Sequence, residues 1–262
     1  MSKKPDRLPV FLTIGNAFDS IFSRSVLRSR AVGQSFIALL IYNALAGFLA
    51  RRSGAEMDLL IWLVSSFGLF LVMAPLSVTL HRHIILGEAL SDRPFGEFFS
   101  GRNRQFAFYG LLITFPLLIL QIAPYIVLAG LGGDSPTREE MLKGAYVSAI
   151  LVGMIFPYLF VMVRFILVLP FIAIDDKRSV AHCWRLTGGQ NWRFFGVVIL
   201  LGLLLAIITG VAFVPIPGQS GENGLFAFLG DAVDSLILLF FVAITVAAVS
   251  HAFVCFTAKG LD

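Results

Sequence analysis

The chain has 262 residues, of which 58% are hydrophobic and 14% charged, with a net charge of +4 and a mean hydropathy of +0.88. Soluble domains average roughly 45–50% apolar and 25% charged residues, so this composition excludes a water-soluble globular protein. Ten-residue alternating segments of the kind that build outer-membrane barrels are absent from the sequence, which leaves helices as the spanning element.

In chain order, residues 1–30 read as a basic arm with an amphipathic helix, and no cleavable leader is expected because the first apolar run begins near residue 31. Six apolar runs follow, at 31–50, 59–80, 106–131, 145–174, 194–215 and 236–256. Each meets the ~20 residues a helix needs to cross a hydrocarbon core. A short tail, 257–262, closes the chain, and no segment between the runs is long enough for a separate catalytic domain. The expected fold is an all-α polytopic membrane bundle of six transmembrane helices.

Lysine and arginine mark alternate loops. The arm, the loops after the second and fourth runs, and the tail carry fifteen of them, whereas the loops between carry Arg51, Arg52, Arg138 and Lys143. Because Lys and Arg favour cytoplasmic loops, this predicts cytoplasmic N- and C-termini. The same bias reads the basic residues as topology and headgroup contact and excludes nucleic acid as a partner. Cys183 and Cys255 both fall on the cytoplasmic side, where a disulfide is not expected.

An internal repeat organises the runs. Pro75 precedes Arg82 as Pro157 precedes Arg164, both pairs related by the same offset along the chain. Each arginine is followed by a short apolar stretch, an acidic turn (Glu88 to Asp92, or Asp175 and Asp176), and an amphipathic segment that enters the next run. With a looser copy in Ala17 to Phe36, the pattern predicts three units, each an interfacial helix followed by two spans. The interfacial helices are expected in the arm, near 92–103 and near 178–188, forming a collar of amphipathic helices on the cytoplasmic leaflet.

The stretch from Arg164 to Gly196 carries Arg164, Pro170, Ser179, Trp184, Leu186, Thr187, Gly189, Asn191 and Trp192. In this pattern the chain resembles the YciC-like group of bacterial six-span membrane proteins and is similar to the membrane domain attached to some glycerophosphodiester phosphodiesterases. The resemblance implies a bacterial inner membrane. It carries over no catalytic or ligand residues.

Candidate chemistry is sparse. His81-Arg82-His83 ends an apolar helix and opens no barrel, so it is not read as a phosphodiesterase His-Arg pair. His81 and His83, two residues apart, point roughly 200° from each other on a helix and do not converge as zinc ligands would. No catalytic residues, metal or cofactor are expected, and the chain is not read as an enzyme. Lipid contact is assigned to Arg82, Arg164, Arg178, Arg185, Arg193, Trp184 and Trp192. Arg164 lies about twenty residues into its run, at a depth where a guanidinium can reach lipid phosphates. Asp231 and Asp234, three residues apart at the outer end of the last run, are a weaker ion or proton site beside their reading as helix-capping carboxylates. The expected partners are the phospholipid bilayer with its anionic lipids, and a membrane protein or a second copy of the chain. The functional reading is membrane organisation, membrane integrity or lipid association, with a transporter or channel for a small or lipidic substrate as the alternative.

Overall fold

A helix hides its backbone polar groups within itself, and among the described residues the chain uses nothing else for regular structure. The structure, a computed structural model, describes residues 8–52, 58–130, 138–176, 180–212 and 224–258. In order they form α1 (Val10–Ile21), α2 (Arg24–Leu27), α3 (Arg30–Arg52), α4 (Asp58–Leu86), α5 (Gly101–Gly130), α6 (Arg138–Phe165), α7 (Val168–Ala173), α8 (Val180–Leu186), α9 (Asn191–Ala212) and α10 (Gly224–Thr257). Among the described residues four stretches are long and apolar enough to cross a membrane: Arg30–Leu49, Val64–Leu86, Gly153–Ala173 and Ala232–Thr257. α5 and α9 are also long, at 30 and 22 residues.

α10 is the axis of the bundle. It packs against α1, α3, α4 and α9, while α5 joins α4 to α6, and α6 returns to α9. Close approach follows from small side chains: Ala247, Ala248, Ser250 and Ala252 are all fully buried on α10. Between lipid-exposed helices no hydrophobic force separates protein from solvent, so tight van der Waals contact and interhelical hydrogen bonds hold them. Asn43 Nδ2 donates to Ser235 Oγ at 2.8 Å between α3 and α10, and the Tyr42 and Tyr158 hydroxyls donate to the carbonyls of Ser65 and Ile113. Outward, large apolar residues such as Ile41, Leu45, Leu112, Phe156 and Leu203 are left exposed, as a lipid-facing surface requires.

The helices add three local details to these expectations. The run read as one span, 145–174, is two helices, since α6 ends at Phe165 and α7 starts at Val168. Pro170 supplies the reason: it has no N–H to give Ile166 and its ring collides with that carbonyl, but it fits the first turn of a new helix. In the segment near 92–103 the regular structure ahead of α5 is short. A single 3-10 turn, Pro94–Glu97, leads into α5 at Gly101. The arm helix supplies the third detail. α1 lies in the cleft between α9 and α10, burying Thr13, Ala17 and Ile21, with Leu8 just ahead of it. The face turned away from α9 and α10 carries Asn16 and Asp19 but also Phe11, which is 82% exposed. Of the segment near 178–188, α8 is helical over Val180–Leu186, and residues 177–179 lie outside the described residues.

Candidate functional site

The chain gathers its chemistry at one end of the bundle, where α1, the 87–100 loop, α7, α8 and the last turns of α4, α6 and α10 meet. The loop pinning α1 to α9 shows the style of construction. The Leu8 N–H donates to Gln190 Oε1 at 2.5 Å, and Arg193 Nη1 donates to the Leu8 carbonyl at 3.3 Å.

Arg82, near the end of α4, is the hub of a network of alternating charge. Its Nε and Nη2 donate to the two carboxylate oxygens of Glu88, at 2.7 and 2.5 Å. Its Nη1 reaches across to α7, donating to the Ala173 carbonyl at 3.0 Å and to Asp175 Oδ2 at 3.1 Å. Arg102, in the first turn of α5, holds the same Asp175 from the other side, through Nε to Oδ1 at 2.8 Å and Nη2 to Oδ2 at 2.6 Å. Two forked guanidiniums and two carboxylates thus tie α4, α5 and α7 together by charge-assisted bonds. Asp175 takes up φ +60, a left-handed conformation that Asp tolerates better than most residues and that places its carboxylate between the two arginines. The Arg82 hydrogen bonds hold the Glu88 carboxyl below its ordinary value, and Arg102 first, then Arg82, does the same for Asp175. A cavity of about 290 Å³ opens beside the network, lined by Thr79, Arg82, Glu88, Ser91, Arg102 and Asn103 among others.

Beneath this network lies a buried polar pair. His81, 1% exposed, sits with Nδ1 2.7 Å from Ser250 Oγ, while the Ser250 hydroxyl donates to the Val246 carbonyl at 2.8 Å. With the serine proton spent there, Nδ1 is the donor, a tautomer assigned from the network. The neighbouring His251 lies 2.9 Å through Nε2 from Ser20 Oγ of α1, so adjacent residues of α10 bind α4 and α1.

A second arginine is treated differently. Arg164 has its guanidinium carbon 4.2 Å above the Trp184 ring, and its Nε is enclosed with no hydrogen-bond partner. Phe165 touches the same indole, with ring centroids 5.5 Å apart. Trp192 packs 4.5 Å from Phe160 while staying 73% exposed, and Asn191 Nδ2 donates to the Phe160 carbonyl at 3.2 Å. Arg164, Trp184, Asn191 and Trp192 of the signature therefore form one joint, in which α8 and the start of α9 clamp the end of α6, while Ser179 lies outside the described residues.

The turn between α8 and α9 depends on Gly189, at φ +77. A β-carbon at Gly189 would meet no neighbour within 4 Å, so any penalty there is conformational. Gly189→Val is expected to cost about 1–2 kcal/mol. Gly196→Ala, inside α9 and equally uncrowded, should be neutral or slightly stabilising. Unfolding midpoints of the two variants in detergent titrated with sodium dodecyl sulfate check the contrast.

The residues assigned to lipid contact thus separate. Arg82 is committed to Glu88 and Asp175, and Arg193 to the Leu8 carbonyl. Arg185 is exposed on α8, Trp184 and Trp192 face outward, and Arg178 lies outside the described residues. Asp234 is partly buried in α10 next to Ser235, and the Asp231 side chain lies outside the described residues. Cys183 is fully buried, and that burial pushes its thiol up to about 11, which keeps it protonated and unreactive. Among the described residues no three of His, Cys, Asp and Glu converge as a metal's ligand set. Sequence reasoning missed Glu88 and Asp175 as partners of Arg82, and Arg102 as the second cation on Asp175; the signal available was the acidic turn that follows each repeated arginine. No protein-family model, curated protein or solved structure matches the chain.

Proposed function

We propose that the protein is a non-enzymatic, six-span protein of a bacterial inner membrane that associates with anionic lipid of the cytoplasmic leaflet and organises the membrane there. The observation that carries this reading is the composition of the end described above. Phe11, Phe99, Trp184 and Trp192 face outward there, with exposures of 82%, 80%, 41% and 73%, and the exposed Arg93, Arg104 and Arg185 lie in the same segments. Aromatic rings and cationic side chains in one layer are the pairing that seats a protein at a headgroup interface. The buried polar groups support it as well, because His81, Ser250, Asn43 and Ser235 are spent on bonds between helices. α5 and α9, added to the four apolar stretches, complete six spans. The excess of basic residues favours cytoplasmic termini, and the resemblance of the Arg164 to Gly196 signature favours a bacterial inner membrane.

A second reading, a transporter for a small or lipidic substrate, is favoured by the polar cavity between Arg82, Arg102 and Asn103. Reconstitution decides between them. Proteoliposomes holding the protein should pass protons and potassium no faster than empty vesicles, and protein extracted in mild detergent should retain anionic phospholipid in excess of its membrane share. A flux above that of empty vesicles that Asn103→Ala removes would sink the organising role.

A further inference from the structure

Between α5 and α6 runs an apolar groove of about 290 Å³, walled by Tyr109, Pro116, Tyr158, Met162, Phe165 and Val180 among others. The Tyr158 hydroxyl is already given to the Ile113 carbonyl. Water finds too few partners in so apolar a space. At the mouth, Phe165 lines the groove and touches Trp184, and the guanidinium of the adjacent residue, Arg164, lies over that same indole.

Arg164 is the unusual cation of the molecule. Arg82 and Arg102 are neutralised by Glu88 and Asp175, but among the described residues no carboxylate lies within ion-pair distance of Arg164, and its Nε has no acceptor. An enclosed guanidinium donor without an acceptor is costly. The cost is relieved by an anion, and an anion that carries an apolar body suits this place because the groove and the cation share the Phe165–Trp184 contact. We propose that the α5–α6 groove and the Arg164–Trp184 pair form a single phospholipid site, with an acyl chain in the groove and the phosphate of an anionic lipid accepting from Arg164. Trp184 fixes the guanidinium by cation–π stacking and leaves its edge for forked contact with phosphate oxygens. The site rests on the lipid-associated reading above and adds to it a defined position and a headgroup charge.

The test uses the full chain in nanodiscs of phosphatidylcholine doped with acyl-brominated phosphatidylglycerol or, in parallel, acyl-brominated phosphatidylcholine. The chain has three tryptophans, Trp62, Trp184 and Trp192, so two single-tryptophan chains are made by Trp→Phe substitution, one keeping Trp184 and one keeping Trp192. Brominated phosphatidylglycerol should quench Trp184 with about fivefold greater apparent affinity than brominated phosphatidylcholine, the ratio expected of one cation near the lipid surface. Arg164→Gln should bring that ratio to about one. Val161→Phe, which narrows the groove from its exposed rim with Arg164 intact, should weaken quenching by both lipids. Equal quenching of Trp184 by the two lipids, or a ratio unchanged by Arg164→Gln, would overturn the site. An anionic preference at Trp192 with none at Trp184 removes the site alone, whereas no preference at either tryptophan removes the lipid-associated reading with it.

Discussion

Phe171→Ala should destabilise the folded protein by about 2–4 kcal/mol. Truncations of Phe in water-soluble cores cost about 3–5 kcal/mol, and the lower range is expected here because a span that unfolds into lipid forfeits packing but little hydrophobic transfer. Phe171 is 1% exposed, with its ring edge-on to Phe253 of α10 at 4.6 Å and to His182 of α8 at 5.8 Å. α7 has only six residues, too few to stand alone as a helix, and this ring is its largest buried anchor beside Val168, Pro170 and Ala173. α7 also delivers the Ala173 carbonyl to Arg82 and leads directly into Asp175. Loss of the anchor should therefore register twice. The midpoint in sodium dodecyl sulfate should fall, and amide exchange at Ile174 to Asp176, now slowed by bonds to the carbonyls of Pro170, Ile172 and Phe171, should accelerate. Unchanged exchange there would show that α7 is held by something else.

Arg82→Gln is the second large effect, about 1–2 kcal/mol, because charge-assisted bonds to two carboxylates are lost while solvent softens the penalty for groups that are 43% and 55% exposed. Arg104→Gln, at an exposed position, should fall within about 0.5 kcal/mol of the parent. The pH dependence has a definite sign. Glu88 and Asp175 are held below their ordinary values of 4.5 and 3.8. A depressed folded-state value contributes stability above the ordinary value and loses it as pH falls through the folded one. The parent should therefore hold a constant midpoint from neutrality to about pH 5 and weaken progressively below pH 4. Since Arg102 is the larger influence on Asp175, Arg82→Gln chiefly frees Glu88 and should reduce this acid limb. Only Arg82→Gln combined with Arg102→Gln should abolish it. An acid limb of full size in the double variant would place its origin in other carboxylates.

Helicity and the long apolar stretches were legible because they are local properties of composition: a run of twenty apolar residues has few solutions in a membrane. Charge position was legible for the same reason. What the charges touch was not. Arg82 and Asp175 are 93 residues apart in the chain, and His81 and Ser250 are 169 apart, so their pairing is a product of packing that no periodicity encodes. The packing of α1 on α9 and α10 was not legible, because an amphipathic pattern specifies one face to bury without saying whether protein or lipid buries it. The break before α7 had its signal in Pro170, hidden inside an apolar run whose hydropathy is continuous. Within the Arg164 to Trp192 signature the aromatic and glycine positions were readable as a unit, and the stacking of Arg164 on Trp184 is its geometric content.

The alternating network also imposes an order on biogenesis. Arg82 has Glu88 six residues behind it, but Arg102 emerges from the ribosome ahead of its carboxylate, Asp175, by 73 residues. At about 5–20 residues per second that is a delay of about 4–15 s. During that interval Arg102 lacks the carboxylate that later cancels it. The Arg102–Asp175 pair is thus a lone charge in the nascent chain and a neutral rivet in the finished bundle.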